Sequence, residues 1–359
     1  MLRALTRFDL TLTLCILLLS ALGLTILSSV APALLNIQII AVVIGLICYI
    51  IISQTPCKLW HQLNRPLYII CLVFLCLPFM FGTAAGGSLR WLQLGLISIQ
   101  PSEIVRPFLI AILAGVLSRP GAVTFNDIFK SSLLILPPMV IIFLQPDLDM
   151  VVILGIAWIA MILSKGLSKK QITAILLVVI LFSPLAWKIM HGYQKDRILT
   201  FLNPGRDPLN TGYHVLQSQI AVGSGQIFGR GLGRGTQSHL RFLPERHTDF
   251  VFASLAEELG LVGTLLVLIF YLILSLGIIK AIQTARDDYS RLLASGVLAA
   301  TFFQIVINIG MNLGLLPVTG ITLPLLSYGG SSVISTCISL GLINNILSRR
   351  SNTQTLRIH

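Results

Sequence analysis

The stretch LTLTLCILLLSALGLTIL, residues 10–27, runs for eighteen residues without a charge, and its reading decides the fold. A helix needs about 20 mostly apolar residues to cross the hydrocarbon core of a bilayer, whereas the apolar part of a secretory signal is about 7–15 residues long. Arg3 and Arg7 precede the run and no clear cleavage site follows it, so it is read as a first membrane span. Working outward, similar apolar runs fall at about 36–53, 67–84, 101–118, 131–148, 150–165, 171–188, 250–280, 292–316 and 326–347. These predict an all-α, polytopic integral membrane protein of about ten transmembrane helices, with residues 1–359 forming a single membrane domain. Composition agrees: 55% of the 359 residues are hydrophobic, 11% are charged and the mean hydropathy is +0.90, whereas soluble domains carry roughly 25% charged residues.

Net charge of +12 raises nucleic acid as a partner, but no nucleic-acid motif accompanies it. In a membrane protein, positive charge is first explained by loop topology and anionic lipid. With the N-terminus inside, the cytoplasmic segments hold Arg3, Arg7, Lys58, Arg65, Arg119, Lys130, Lys165, Lys169, Lys170, Lys280, Arg286, Arg291, Arg349, Arg350 and Arg357, while the short outer connections hold Arg90. The positive-inside rule therefore puts both termini in the cytoplasm. The six cysteines lack metal-ligand spacing and read as small apolar residues. No repeat of fixed period is evident, which counts against a standard transporter architecture.

One connection departs from this economy. About 60 residues, 189–248, separate the seventh and eighth spans on the outer side, with seven basic residues against three acidic ones. So long a loop is expected to be partly ordered and functional; a solvated loop drawn to anionic head groups is the plain alternative.

Four constellations stand out. The loop ends in Glu245-Arg246-His247-Thr248-Asp249, just before the chain turns apolar, so Asp249 lies at the membrane boundary. There a carboxylate serves either as a general base or as the helix N-cap. Glu257 and Glu258 follow, one of them at least facing protein, because an unpaired carboxylate against lipid is costly. Glu103 and Arg106 lie three apart on one helix face, beside Pro107, as an ion pair or as lining of a polar cavity. Arg90-Trp91 sits on the outer side as interface anchor or substrate contact. The glycine-rich stretch 223–235, carrying Arg230 and Arg234, offers backbone N–H groups and cations for a diphosphate, or is a flexible loop. It has no Rossmann or P-loop context.

Taken together, Gln100-Pro101-Ser102-Glu103, Gln145-Pro146-Asp147, the His247-Thr248-Asp249-Phe250 junction, Glu257-Glu258-Leu259-Gly260 and the segments 314–320 and 327–332 resemble the shape, elongation, division and sporulation family. The match runs from the first span to the tenth, and Glu245–Asp249 with Gly212-Tyr213-His214 and Gln217-Ser218 looks like its elongation branch. Arg106, Asp149, Thr322 and Leu326 depart from the usual family residues, and Arg for Lys preserves charge but not geometry.

The resemblance implies a bacterial cytoplasmic-membrane enzyme that polymerises lipid II at the outer face. It implies Asp249 as the essential carboxylate and a class B penicillin-binding protein as partner. Under that reading Asp249 deprotonates an acceptor hydroxyl, which displaces undecaprenyl diphosphate with inversion. Substrate contacts are expected from Arg90, Trp91, Glu103, Arg106, Gln217, Ser218, Arg230, Arg234, Glu245, Arg246, His247 and Ser331. No protein-held metal is expected, although a divalent cation can accompany the diphosphate. A lipid II flippase using Glu103, Arg106 and Asp147, or a scaffold recruiting synthases, are the rivals; spacing by itself leaves enzyme and transporter near parity.

Overall fold

Each of the ten apolar runs becomes a helix in the computed structural model, which describes residues 8–354 except 86–87, 96, 120, 122, 204–210, 241 and 244. Arg3, Arg7, Arg206, Asp207, Arg241 and Arg357 thus lie outside the described residues. In chain order the helices are α1 (Leu10–Val30), α2 (Leu35–Gln54), the short α3 (Cys57–Gln62), α4 (Asn64–Phe81), α5 (Pro101–Leu117), α6 (Phe125–Leu144), α7 (Leu148–Lys165) and α8 (Lys169–Ile189). The outer loop contributes α9 (Gly192–Leu202), α10 (Thr211–Ser224) and α11 (Thr236–His239), followed by α12 (Val251–Thr284), α13 (Asp288–Asn312) and α14 (Gly330–Gln354). Nine helices among the described residues are at least 18 residues long and apolar enough to cross a membrane; the tenth run, α5, has 17 residues and is largely buried in the bundle.

Local chemistry sets the helix starts. Asp9 accepts a hydrogen bond from Leu12 N at 3.1 Å, Thr124 and Asp127 form a reciprocal capping box at the head of α6, and Pro101 occupies the first turn of α5, where its missing N–H is no loss. Between helices, lipid gives no hydrophobic drive to associate, so small residues and buried hydrogen bonds take over. The central α14 shows this: 89% of its apolar window is buried, yet Ser331, Ser332, Ser335, Thr336, Ser339, Asn344 and Asn345 are all among its buried residues. Asn345 donates to Ser53 O of α2 at 2.9 Å, and Ser335 donates to Glu103 O of α5 at 2.6 Å. By contrast, none of the described residues in the apolar window of α8 is buried.

Two features were not foreseen. The connection between α4 and α5 is an antiparallel three-stranded sheet, β1 (Thr83–Ala85), β2 (Ser88–Leu94) and β3 (Ile97–Ile99), so the all-α expectation holds for the spans and not for this cap. The second is a break in α12, read from sequence as one helix. Gly260 has φ +66 and ψ −161, a region open essentially to glycine, and the N–H groups of Leu261 and Val262 lose their helical acceptors. Residues 226–231 are spliced into the gap. Leu261 N donates to Gln226 O (2.8 Å) and Val262 N to Ile227 O (3.1 Å), while Arg230 N and Gly231 N donate to Glu257 O (2.9 Å) and Glu258 O (3.0 Å).

The spliced segment lies so close that a Cβ at Gly260 would meet Gly229 N and Ile227 O at 2.6 Å or nearer. Gly260→Ala is therefore expected to destabilise the fold by about 1–3 kcal/mol, read as a lowered unfolding temperature in detergent. Gly277→Ala, in the same helix with its nearest neighbour at 3.6 Å, should not. Equal unfolding temperatures for the two variants would contradict the break.

Candidate active site

The peptide at Thr248-Asp249 is held by three successive carbonyls. Tyr328 N donates to His247 O (2.8 Å) and Ser327 Oγ to Thr248 O (2.6 Å). Asn308 Nδ2 and Asn312 Nδ2 of α13 both donate to Asp249 O at 3.0 Å. These asparagines are fully buried, and their i,i+4 spacing puts both on one face. The N-cap of α12 is Phe250, with no capping side chain of its own. Asn312 Oδ1 instead accepts from Ala253 N at 3.0 Å. Asp249 thus does not cap its helix, and among the described residues its carboxylate has no hydrogen bond or ion pair.

That carboxylate opens on a cavity of about 530 Å³ also lined by Arg90, Trp91, Glu103, Asp147, Arg197, Glu245, His247 and Ser331. Two sequence marks meet on its wall: Gln100 Nε2 (2.7 Å) and Ser102 Oγ (2.9 Å) both donate to Asp147 Oδ2, while Arg90 Nη1 lies 3.6 Å from Asp147 Oδ1. Arg197, on α9, reaches Asp149 Oδ2 at 3.9 Å, and Gly320 N donates to the same oxygen at 2.9 Å. Burial pushes the Asp249 carboxyl up to about 7, aided by the Glu245 and Asp149 charges and opposed by Arg197 and Arg90. Burial likewise pulls the His247 imidazole down.

Of the residues anticipated from sequence, Arg90, Trp91, Glu103, Glu245, His247, Asp249 and Ser331 line this cavity. Arg106 does not; it lies behind Glu103, 3.1 Å from its carboxylate, both side chains buried. Ser218 is buried against Asn312, donating to its carbonyl at 2.8 Å, and Gln217 beside it on α10 is not a lining residue. Arg246 Nε donates to Val30 O at 3.2 Å, away from the cavity.

Arg230 and Arg234 depart furthest from expectation. The glycine-rich stretch spends its N–H groups on the broken helix and on Glu258, to which Gly233 N donates at 3.3 Å. Arg230 Nη1 donates to Thr236 Oγ1 at 3.1 Å, and neither arginine lines the cavity. Glu257 accepts from Gln237 N (2.8 Å), Ser238 N (3.0 Å) and Ser238 Oγ (2.6 Å), and Glu258 accepts from Ser29 Oγ (2.5 Å). Both glutamates bind the outer loop to the bundle.

Arg197, Asn308 and Asn312 were missed as site residues. Arg197 sits among other charged loop residues with no spacing signal. A second cavity, of about 700 Å³, shares Arg90, Asp149 and Arg197 with the first and continues over Val152, Phe303 and Ile307. Among the described residues, no group of three or more His, Cys, Asp or Glu could hold a metal ion.

A family model described as a cell cycle protein, covering FtsW, RodA and SpoVE, matches residues 4–352. The chain is 38% identical over 313 residues to the peptidoglycan glycosyltransferase MrdB of Escherichia coli K12, covering 86% of this chain and 84% of that one. It is 34% identical over 364 residues to a probable peptidoglycan glycosyltransferase FtsW of Coxiella burnetii, covering 96% and 97%. Among solved structures, a chain from a study of polymerization and crosslinking by a peptidoglycan synthase complex superposes with a TM-score of 0.81 at 32% identity, covering 96% and 98%. The rod shape determining protein RodA of Thermus thermophilus gives 0.71 at 28%, covering 95% and 97%.

A carboxyl whose folded-state value lies above its unfolded one adds stability at low pH and loses it as pH rises through the folded value. Wild type should therefore unfold at a lower temperature than Asp249→Asn above about pH 7, with the difference vanishing below about pH 4, the unfolded value. A pH-independent difference would contradict the raised carboxyl.

Proposed function

The chain belongs to the cell cycle protein family of FtsW, RodA and SpoVE, and we propose that Asp249 is the base with which this peptidoglycan glycosyltransferase of the elongation branch works. One observation carries the proposal. A carboxylate with no partner among the described residues, on a peptide held rigidly from behind, faces a cavity containing two arginines. A general base works best when its pKa lies near the operating pH, and burial brings Asp249 there.

The chemistry follows from the substrate class. A sugar hydroxyl of one lipid-linked disaccharide, lipid II, attacks the anomeric carbon of another. The new C–O bond forms as the bond to undecaprenyl diphosphate breaks, the electron pair leaves on the diphosphate, and the hydroxyl proton passes to Asp249. Hydrolysis of an ordinary glycoside needs an acid as well as a base, whereas a diphosphate leaves readily once cations stabilise it. Arg90 and Arg197 are the cations so placed, and the displacement inverts the anomeric centre. Two adjoining cavities that share these arginines suit a reaction between two lipid-linked molecules, with the apolar wall of the second taking polyprenyl chain.

A divalent cation accompanying the diphosphate would be held by its oxygens, since no cluster of three ligands stands ready among the described residues; such an ion would neutralise diphosphate charge. The enzyme sits in the cytoplasmic membrane with both termini inside, and a class B penicillin-binding protein crosslinks the strands it makes. The flippase alternative gains little from the geometry. Glu103 and Asp147 line the same cavity as Asp249, with Arg106 behind Glu103, so they mark no polar route separate from that site.

Glycan-strand formation from purified lipid II, with the transpeptidase partner present, tests this reading. Asp249→Asn should fold and lose about 10²–10⁴-fold in rate, and the product linkage should be inverted. Arg197→Gln should slow polymerisation at least about tenfold, the effect of losing one charge-assisted contact, while Arg230→Gln should stay near wild type. Wild-type rates from Asp249→Asn would refute the base, and greater damage from Arg230→Gln than from Arg197→Gln would refute the cation assignment.

A further inference from the structure

A carboxylate one residue before the N-cap of a helix has a strong competing use. The first turn of an α-helix presents N–H groups without intrahelical acceptors, and Asp is among the residues that best supply one. In α12 that demand is met from another helix. Asn312, the last residue of α13, accepts from Ala253 N (3.0 Å) through Oδ1 and donates to Asp249 O (3.0 Å) through Nδ2. One amide therefore caps the helix and anchors the residue ahead of it. Asn308 donates to the same Asp249 carbonyl and to Ile321 O (2.7 Å), and Ser218 Oγ donates to the Asn312 carbonyl (2.8 Å). Both asparagines are fully buried and neither lines the cavity, so they touch no substrate.

We propose that Asn312, supported by Asn308, is a positioning residue that takes over the capping of α12 and so keeps the Asp249 carboxylate free to act on the acceptor hydroxyl. The inference rests on the reading of Asp249 as base. Without Asn312, the Ala253 N–H is left in a buried site where an unmet donor is costly. The first acceptor side chain upstream of the helix start is that of Asp249. Once it accepts hydrogen bonds from the helix start, its charged form is favoured, and it becomes both misdirected and more acidic.

The groups that face Asp249 set the pH scale on which this is read. They are Glu245 and His247 of its own loop, Tyr328 of the last outer turn, Glu103 on α5, Asp147 and Asp149 at the start of α7, Arg90 on β2 and Arg197 on α9. Asn312→Leu leaves all of them in place, so a displaced pH limb reports on Asp249.

The experiment compares wild type, Asp249→Asn, Asn312→Leu and Asn345→Leu in polymerisation of purified lipid II between pH 5 and pH 9. Asn345 serves as a control because its amide donates to Ser53 O and Thr55 O at the far end of the bundle. The expected result for Asn312→Leu is a kcat at least about tenfold lower with little change in KM, as for lost proton-transfer geometry. Its acidic limb should also move to lower pH. Asn345→Leu should lower the unfolding temperature without moving that limb.

Loss of activity in Asn312→Leu with an unmoved limb would overturn the positioning role, since a purely structural defect has that signature. Should Asn312→Leu fail to fold, Asn312→Ala, which removes the same acceptor of Ala253 N without adding bulk, must show the same displacement. An unmoved limb there overturns the proposal equally. Polymer from Asp249→Asn at the wild-type rate would defeat the underlying reading instead, and would be seen in the same assay.

Discussion

Two rungs of the backbone ladder are missing from α12 at Gly260, and in a membrane such groups must find partners within the protein. Residues 226–231 supply all four. This splice explains why the outer loop is glycine-rich: side chains at Gly229 and Gly260 would strike the opposing backbone. It also explains the paired glutamates. Glu257 and Glu258 sit on the rungs themselves and use their carboxylates to hold residues 233–239. The first turns of α12 are thereby freed from the direction of the span below and fixed by the loop above, and Asp249 stands at their head.

From there the electrostatics follow. Asp147 accepts from Gln100 and Ser102 and lies beside Arg90, Glu103 forms an ion pair with Arg106, and Asp149 accepts from Gly320 N and lies beside Arg197. Each of these carboxylates has a local partner, whereas the Asp249 side chain has none among the described residues while its backbone carbonyl has two. A half-buried acid set among other acids keeps its proton to higher pH. A carboxylate of that kind can accept a proton from a sugar hydroxyl near neutrality, with Arg90 and Arg197 at hand for the departing charge.

Much of this was legible in the sequence because lipid imposes a blunt constraint. Apolar runs long enough to span it mark the helices, and the Gln-Pro-Ser-Glu and Gln-Pro-Asp segments were evident as marks before they were seen to meet at Asp147. Asp249 was visible as a residue with two possible uses, base or cap; that it is not the cap became legible only with Asn312, 63 residues away. The glycine-rich basic stretch misled, because glycines that admit a diphosphate and glycines that admit a neighbouring backbone look alike in one dimension. Arg197 was hidden by the reverse problem, a cavity-lining side chain on an otherwise ordinary amphipathic loop helix. The β-sheet had a signal in the alternation of Leu92, Gln93 and Leu94 before Gly95, which turns with φ +66, but it lies between two far stronger apolar runs.

The central claim is that a desolvated Asp249 takes the acceptor's proton. The most direct test is the pH dependence of single-turnover glycosyl transfer by wild-type enzyme at subsaturating lipid II, where the rate follows kcat/KM and reports the ionisation of the free enzyme. The rate is predicted to rise with pH through a single limb centred at about 7. A rate flat across that range, or a limb near the ordinary carboxylate value of about 4, would contradict it.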